Sequence, residues 1–459
     1  MNKPLPNSTA AMDAAHQVHP HTDLRAHLKT GPSELFVRGE GINVFDSDGK
    51  DYIEGAAALW CSSLGFGSER LGNVAKEVMT NLGYYHNFRG SGTPQAAELC
   101  GKLADIAPNG MDKILLQSSG TEANDTALKL VWYYWNSQGA PQRRKIISRN
   151  EAYHGTGTLT SCLTGKVKFH DGYGLPFDGF HYVTMPYHYR MAEPGESEEE
   201  FSTRCAEEIE ALILREGPET VAAFWAEPVL GSGGAITPPK GYFEKIQAVL
   251  DKYGVLFVAD EVICGFARTG EMWGTQTYQL KPDMICCAKA LSAAMVPISA
   301  VIIGDRVFEG MMAQSDKFGS FTHGYTYSGH PVACAVASEV LTIYQEMDLV
   351  NHVKALELGF LKGFHDLADH PLIGDVDGIG LIGAVEVVAN KDTKAMHAPE
   401  LKVMPMLDRL TRKHGLITRL IGNRIALAPP QIITAPEVEE MFTRLRAALD
   451  ECLKTLPAA

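Results

Sequence analysis

At 459 residues the chain is too long for one small core, and two domains are the natural expectation. Hydrophobic residues make up 45% and charged residues 21%, a balance that excludes a disordered or fibrous chain. The net charge of -14 argues against nucleic acid and anionic membranes as partners.

The opening stretch, MNKPLPNSTAAMDAAHQVHPHTDL, has no apolar h-region of the kind a secretory signal carries. Up to about Glu40 the chain is polar and contains Pro and His. It reads as an arm lying on another surface, such as that of a second subunit. Gly41 to Ile53 alternates around Asp48-Gly49, a hairpin signal. From about Trp60 to Gly329 the pattern is strand, loop, helix, repeated. Strands are predicted at Lys113–Gln117, Lys145–Arg149, Val221–Ala226, Val255–Ala259, Met284–Ala288 and Ser299–Ile303. Between them Phe243, Ile246, Val249, Leu250 and Tyr253 line one helical face, with Gly254 as the stop. Ser197–Arg215 reads as an acidic amphipathic helix with a solvated outer face. Alternating β and α implies a mainly parallel sheet covered on both sides.

Past Pro331 the texture changes. Helices over Val332–Gln345 and near Val353–Ala368, a strand near Leu381–Val388 and a final helix from Ala435 predict a smaller α+β domain. Gly378-Ile379-Gly380-Leu381-Ile382-Gly383 fits a dinucleotide fingerprint, but that motif must follow a strand and open a helix. Here it runs into a strand, so the glycines are read as allowing close packing. There are no internal repeats, and no apolar run reaches the roughly 20 residues a membrane helix needs. The nine cysteines lack paired spacing and read as reduced, buried thiols of a cytosolic protein.

The chemistry concentrates where strands end. Met284–Ala288 delivers Lys289, and Val255–Ala259 delivers Asp260 and Glu261. Open α/β sheets place their ligands at such carboxyl ends. A lysine walled by Cys, Ala, Leu and Met is hard to keep charged, which makes its amine a nucleophile toward carbonyls. The partner such a lysine most often serves is pyridoxal phosphate (PLP), with Asp260 as partner of the pyridine nitrogen. A carboxylate about 4 Å from a pyridinium is worth roughly 4 kcal/mol at an effective dielectric of 20. That is a shift of about three pKa units, enough to hold the ring nitrogen protonated.

Two further loops follow strands. Ser118-Ser119-Gly120-Thr121-Glu122 opens a helix running through Trp135 and offers free N–H groups to an anion, although ordinary N-capping explains the same residues. Arg149 to Gly155 carries Tyr153, whose ring can stack on a flat heterocycle or simply pack under a loop.

These sites together resemble the class III (omega) aminotransferases of PLP fold type I, over nearly the whole chain. The carrying residues are Ser119 to Ala123, Tyr153-His154-Gly155, Glu227-Pro228, Asp260 to Phe266 with Arg268-Thr269-Gly270, Lys289, and His323 to Pro331. Leu59-Trp60-Cys61 and Ile417-Thr418-Arg419 look closest to the amine:pyruvate branch. The resemblance implies an α/β large domain with a mainly parallel seven-stranded sheet flanked by helices, plus a smaller α+β domain. The implied boundaries are 1–59 for an arm and part of the small domain, 60–330 for the large PLP-binding domain and 331–459 for the C-terminal small domain.

Residue roles follow by position. Lys289 bonds the cofactor covalently and moves the proton. Asp260 binds the pyridine nitrogen, with Glu227 nearby. Tyr153 stacks on one ring face and Ile263 packs on the other, and His154 adjoins them. Ser119, Gly120 and Thr121 hold the phosphate, joined by Thr326 from a second subunit. Trp60, Phe88 and Tyr153 line the substrate pocket. Arg419 resembles a mobile arginine that binds a substrate carboxylate and swings away for plain amines, a task suited to its bidentate fork. The plainer role for Arg419 is a structural ion pair. The chain departs from the family where glycines are usual: Ala267, Ala290 and Ala293-Ala294 stand there, and His21 replaces a usual aromatic. The added methyls bear on substrate range.

The implied activity is an aminotransferase that takes the amino group of a primary amine or omega-amino acid to a 2-oxo acid, pyruvate foremost, by a ping-pong route. The implied assembly is a cytoplasmic homodimer with shared active sites, with a tetramer left open. An aminomutase, racemase or decarboxylase of the same fold remains the alternative, because reaction choice depends on which substrate bond stands perpendicular to the ring.

Overall fold

The computed structural model describes residues 7–457. Its centre is a seven-stranded sheet in the order Lys113–Gln117, Ser299–Ile303, Met284–Cys287, Leu256–Asp260, Val221–Ala226, Lys145–Arg149, Phe180–Val183. Only Ser299–Ile303 runs antiparallel to its neighbours; the remaining pairs are parallel. Val221–Ala226, Leu256–Asp260, Met284–Cys287 and Ser299–Ile303 are buried along their whole length. That is why they read as continuous apolar runs: helices cover both faces of such a sheet.

Two boundaries move from expectation. The strand expected at Val255–Ala259 runs Leu256–Asp260. Val255 N–H is bonded instead to Leu250 O at the end of the preceding helix, while Asp260 pairs with Cys286 in the ladder. The strand expected to reach Ala288 stops at Cys287, because Ala288 leaves the ladder conformation as the chain turns into Lys289–Ser292. The edge strand Phe180–Val183 was not predicted; it is short and only half-buried, so no apolar run announces it.

The predicted helices are present. Tyr242–Tyr253 ends on Gly254 at φ 63°, the left-handed stop glycine supplies most cheaply. Glu198–Glu216 opens with a Ser197–Glu200 capping box and buries Phe201, Cys205, Ile209 and Leu212 on one face. The arm contains two helices that sequence periodicity did not reveal, Thr9–His16 and Leu24–Thr30, capped by Ser8 and Asp23. The first six residues of the expected arm lie outside the described residues.

Two smaller sheets flank the centre. The predicted hairpin forms from Asn43–Asp46 and Asp51–Glu54, and Leu416–Ile417 adds to it in parallel. The second sheet orders Ile373–Ile379, Ile382–Val387, Arg424–Leu427 and Arg419–Ile421. Helices Pro331–Glu346, Leu349–His365 and Ala435–Thr455 replace the approximate bounds read from sequence. The glycine motif is the turn of this sheet's first hairpin, with Gly378 paired to Gly383. A Cβ on Gly383 would lie 2.6 Å from the Phe364 ring, and one on Gly380 would lie 2.5 Å from Arg268 O. The motif serves packing.

A buried cation ties this sheet to the loop around Gly234. Arg424 is 2% exposed; its Nε donates to Gly234 O at 2.7 Å and its Nη atoms face Asp375 at 3.3 Å, Asp377 at 3.8 Å and Glu386 at 3.9 Å. Asp377 in turn accepts Thr237 N–H at 2.8 Å. Removing the cation strands several carboxylates in the interior. Arg424→Met is expected to destabilise the fold by about 3–5 kcal/mol, read by thermal or urea unfolding. An unchanged transition would show that this seam carries no stability.

Candidate active site

The parallel strands Val221–Ala226, Leu256–Asp260 and Met284–Cys287 end along one edge, where a cavity of about 380 Å³ opens. Asp260 and Lys289 both line it, with Thr121, Tyr153 and Ile263. The expected pairing of carboxylate and amine is therefore met in one space.

Asp260 is 2% exposed. Its Oδ2 accepts Asn124 Nδ2–H at 2.8 Å and lies 2.7 Å from His154 Nδ1, and its Oδ1 accepts Val262 N–H at 3.1 Å. Asn124 is itself fixed, because its Oδ1 accepts Trp225 Nε1–H at 2.9 Å. Glu261 points the other way, as alternation along a strand requires. It caps Gly274 and Thr275 through their N–H groups, and burial pushes its carboxyl up to about 7. Both carboxylates are therefore buried.

Glu227 sits behind this group. It accepts Arg149 Nη2–H at 2.8 Å and Tyr153 N–H at 3.1 Å, and His154 Nε2 stands 3.7 Å away. Arg149, Glu227 and His154 are all buried. The His154 ring is thus held between two carboxylates.

Lys289 occupies a left-handed backbone position, φ 49°, directly after its strand. It is half-buried, and desolvation holds its pKa below the ordinary lysine value; Cys61 and Asp260 pull upward, and Arg419 adds to the lowering. Its Nζ lies 5.6 Å from the centre of the Trp60 ring. Trp60 is buried, also left-handed at φ 60°, and its Nε1 has no partner. Strained positions of this kind cost on the order of 1–3 kcal/mol and cluster at working sites.

The helix Gly120–Ser137 starts at the cavity. Ser119 caps it, accepting Glu122 N–H at 3.2 Å, and Glu122 accepts Ser118 N–H at 2.7 Å. Capping is therefore real, yet it leaves the first N–H groups of the helix directed outward. A Cβ on Gly120 would meet Val262 at 3.1 Å, and one on Gly155 would meet Thr121 Oγ1 at 2.7 Å. Small residues here keep a cradle open at the positive end of an 18-residue helix.

Tyr153 and Ile263 form walls of the cavity. Tyr153 packs edge-on against Phe169 at 5.5 Å, and Phe169 meets His21 of the arm at 5.3 Å. Phe88 and Thr326 do not line the cavity; both are exposed, and Tyr84 O–H donates to Thr326 O at 2.6 Å. Arg419 is exposed at the start of Arg419–Ile421 and also stays off the cavity wall, but its charge reaches Lys289 and Tyr153. Among the described residues of the single chain no carboxylate stands within ion-pair distance of it.

Asn124, Cys61 and Val262 belong to the site and were given no role from the sequence. Asn124 left one trace: an amide one helical turn after Gly120, among Ala123, Ala127 and Leu128 on a buried face. The alanines at usual glycine positions are informative. Ala267, Ala293 and Ala294 have φ values of 67°, 48° and 65°, a region in which glycine is cheapest. Ala290 differs, since it lies inside the turn Lys289–Ser292.

The residues fit PLP. An anion cradle, two flat or apolar walls, a pinned carboxylate and a desolvated amine surround one cavity of small-molecule size.

The Aminotransferase class-III family model matches residues 29–449. The chain is 43% identical over 418 residues to gamma aminobutyrate transaminase 3, chloroplastic, of Solanum lycopersicum, covering 91% of this chain and 80% of that one. Among solved structures it is similar to the omega transaminase from Pseudomonas jessenii in complex with PMP, with TM-score 0.96, 44% identity and coverage of 97% and 98%. A thermostable omega transaminase variant, with one tryptophan, one phenylalanine and one arginine replaced for synthesis of bulky amines, matches with TM-score 0.95, 43% identity and coverage of 97% and 99%. Class III aminotransferases use PLP, and the match spans most of this chain. The protein is a transaminase, and it belongs to the class III aminotransferases.

Proposed function

We propose that this transaminase takes the amino group of a terminal amine or omega-amino acid and passes it to a 2-oxo acid, with pyruvate as acceptor. The substrate class is supported by Arg419, a cation with no ion-pair partner among the described residues that adds to the lowering of the Lys289 and Tyr153 pKa values. A guanidinium there suits a carboxylate on either substrate. The relatives named as gamma-aminobutyrate transaminases act, by name, on an omega-amino acid. The neighbour engineered for bulky amines was changed at the same three residue types as Trp60, Phe88 and Arg419.

Bound PLP supplies the electron sink. The chain does the rest. Lys289 would supply the amine that holds the cofactor and the base that moves a proton within the cavity. Asp260 keeps the ring nitrogen protonated, and Asn124 and His154 keep Asp260 in place. Gly120, Thr121 and the capped Ser119 turn receive the phosphate. Tyr153 and Ile263, on the cavity wall, would cover the two faces of the ring. Trp60, which stands beside Lys289 but off the cavity wall, would border the amine pocket.

The division into 1–59, 60–330 and 331–459 is proposed because every strand of the central sheet, Lys113 to Ile303, falls within 60–330 and the strands of both smaller sheets fall outside it. Exposed Tyr84, Tyr85, Phe88, Thr326 and Tyr327 support a homodimer in which Phe88 and Thr326 complete the other subunit's site. Nine free cysteines suit a reducing, cytoplasmic setting.

With amine alone, the holoenzyme is expected to release one equivalent of aldehyde or ketone per chain and then stop until pyruvate is added. Continuous release of carbon dioxide, or racemised amine without carbonyl product, would assign a different reaction. Arg419→Ala is expected to cut kcat/KM for β-alanine and pyruvate by about 10–100-fold, the worth of a charge-assisted hydrogen bond. The rate of 1-phenylethylamine in its half-reaction should change much less; equal losses would remove Arg419 from carboxylate binding. Asp260→Asn should melt like the parent yet lose on the order of 10³-fold in turnover, as an interaction of roughly 4 kcal/mol implies. Retained turnover would show that the ring nitrogen needs no anion.

A further inference from the structure

The N-terminal arm holds a side-chain cluster that the transaminase chemistry does not use. Asp13 lies on the helix Thr9–His16, His27 on the helix Leu24–Thr30, and His19 on the link between them. Both carboxylate oxygens of Asp13 are 3.0 Å from His19 Nε2, and Oδ1 is also 3.0 Å from His27 Nε2. One oxygen and two ring nitrogens, one from each residue, lie within 4.8 Å of one another. His27 is 6% exposed, and its Nε2 faces the carboxylate without hydrogen-bond alignment, leaving a buried polar atom unpartnered. The two rings stand 4.3 Å apart at 40°. Two imidazolium rings at that separation would repel, so a single carboxylate is a poor partner for both. Two imidazole Nε2 atoms and a carboxylate oxygen gathered within 4.8 Å form a donor set for a borderline metal ion.

We propose that Asp13, His19 and His27 bind a divalent first-row transition metal, Zn²⁺ foremost, which clips the two arm helices together. Imidazole and carboxylate suit Zn²⁺, with water as the fourth ligand. Metal–ligand bonds of about 2.0–2.1 Å set tetrahedral ligand atoms about 3.3 Å apart; the oxygen–nitrogen spacings of 3.0 Å are a few tenths of an ångström shorter, and the two nitrogens lie within 4.8 Å of each other. Small side-chain rotations close that gap. The partial exposure of His19 leaves a route for the ion and the water. His21, on the same link as His19, touches Phe169, and Phe169 touches Tyr153. The clip therefore fixes the segment that backs the aromatic wall of the active site.

The test uses the full-length holoenzyme, freed of metal by chelator dialysis and then desalted. Zn²⁺ is titrated by calorimetry and Co²⁺ by absorption. The expected result is one equivalent per chain with a dissociation constant of about 1 μM or tighter, and a Co²⁺ ligand-field spectrum lacking thiolate charge-transfer bands. His19→Ala and His27→Gln should each weaken binding more than about 10-fold, while His16→Ala binds like the parent. His19→Ala should keep its cofactor absorption, which shows that the chain remains folded. Zn²⁺ should slow proteolysis of the arm in the parent and leave the His19→Ala arm unprotected. No uptake at about 0.1 mM metal, uptake unaffected by both histidine variants, or a thiolate band would overturn the proposal.

Discussion

The site depends on keeping one carboxylate ionisable and immobile inside a protein core. An unpaired buried charge is costly, and it persists only if hydrogen bonds and a cationic partner compensate it. Asp260 has three such bonds, from Asn124, His154 and the Val262 backbone. Two of those donors are fixed by something else: Asn124 by Trp225, and the His154 backbone by Thr164. The geometry around the carboxylate is set before any ligand arrives, which is what electrostatic preorganisation requires. The desolvated Lys289 faces the same cavity, so the anion and the nucleophile are held by different strands of one rigid sheet.

The sheet itself explains why so much of this was legible. Its central strands are buried on both faces, and their apolar runs stop where the chain becomes polar. Lys289 and Asp260 are conspicuous because each interrupts such a run at its carboxyl end. Phe180–Val183 lacked that signal because an edge strand is half-solvated and its residues mix polar and apolar character. The arm helices were missed for a related reason: Thr9–His16 and Leu24–Thr30 bury almost nothing, so no apolar stripe marks them.

Within the site, charged residues at strand ends could be read and neutral positioning residues could not. Asn124 looks like any polar helical residue until its two partners, Trp225 and Asp260, are brought to it from 101 and 136 positions away. Phe88, Thr326 and Arg419 pose the reverse case. Their roles follow from family resemblance, and within a single chain they stand off the cavity. Backbone conformation adds what composition hides. Lys289, Ala293 and Ala294 all sit at positive φ in one short turn, so the segment presenting the amine is strained and must be held by its surroundings.

Lys289 is proposed as the covalent anchor of the cofactor. The direct measurement is borohydride reduction of the PLP-loaded enzyme followed by peptide mapping with mass spectrometry. The cofactor's mass should be fixed on the peptide containing Lys289, in stoichiometric amount, and that labelling should vanish if excess amine substrate is added first. A label on another lysine, or none at all on a protein that still turns over, would contradict the account.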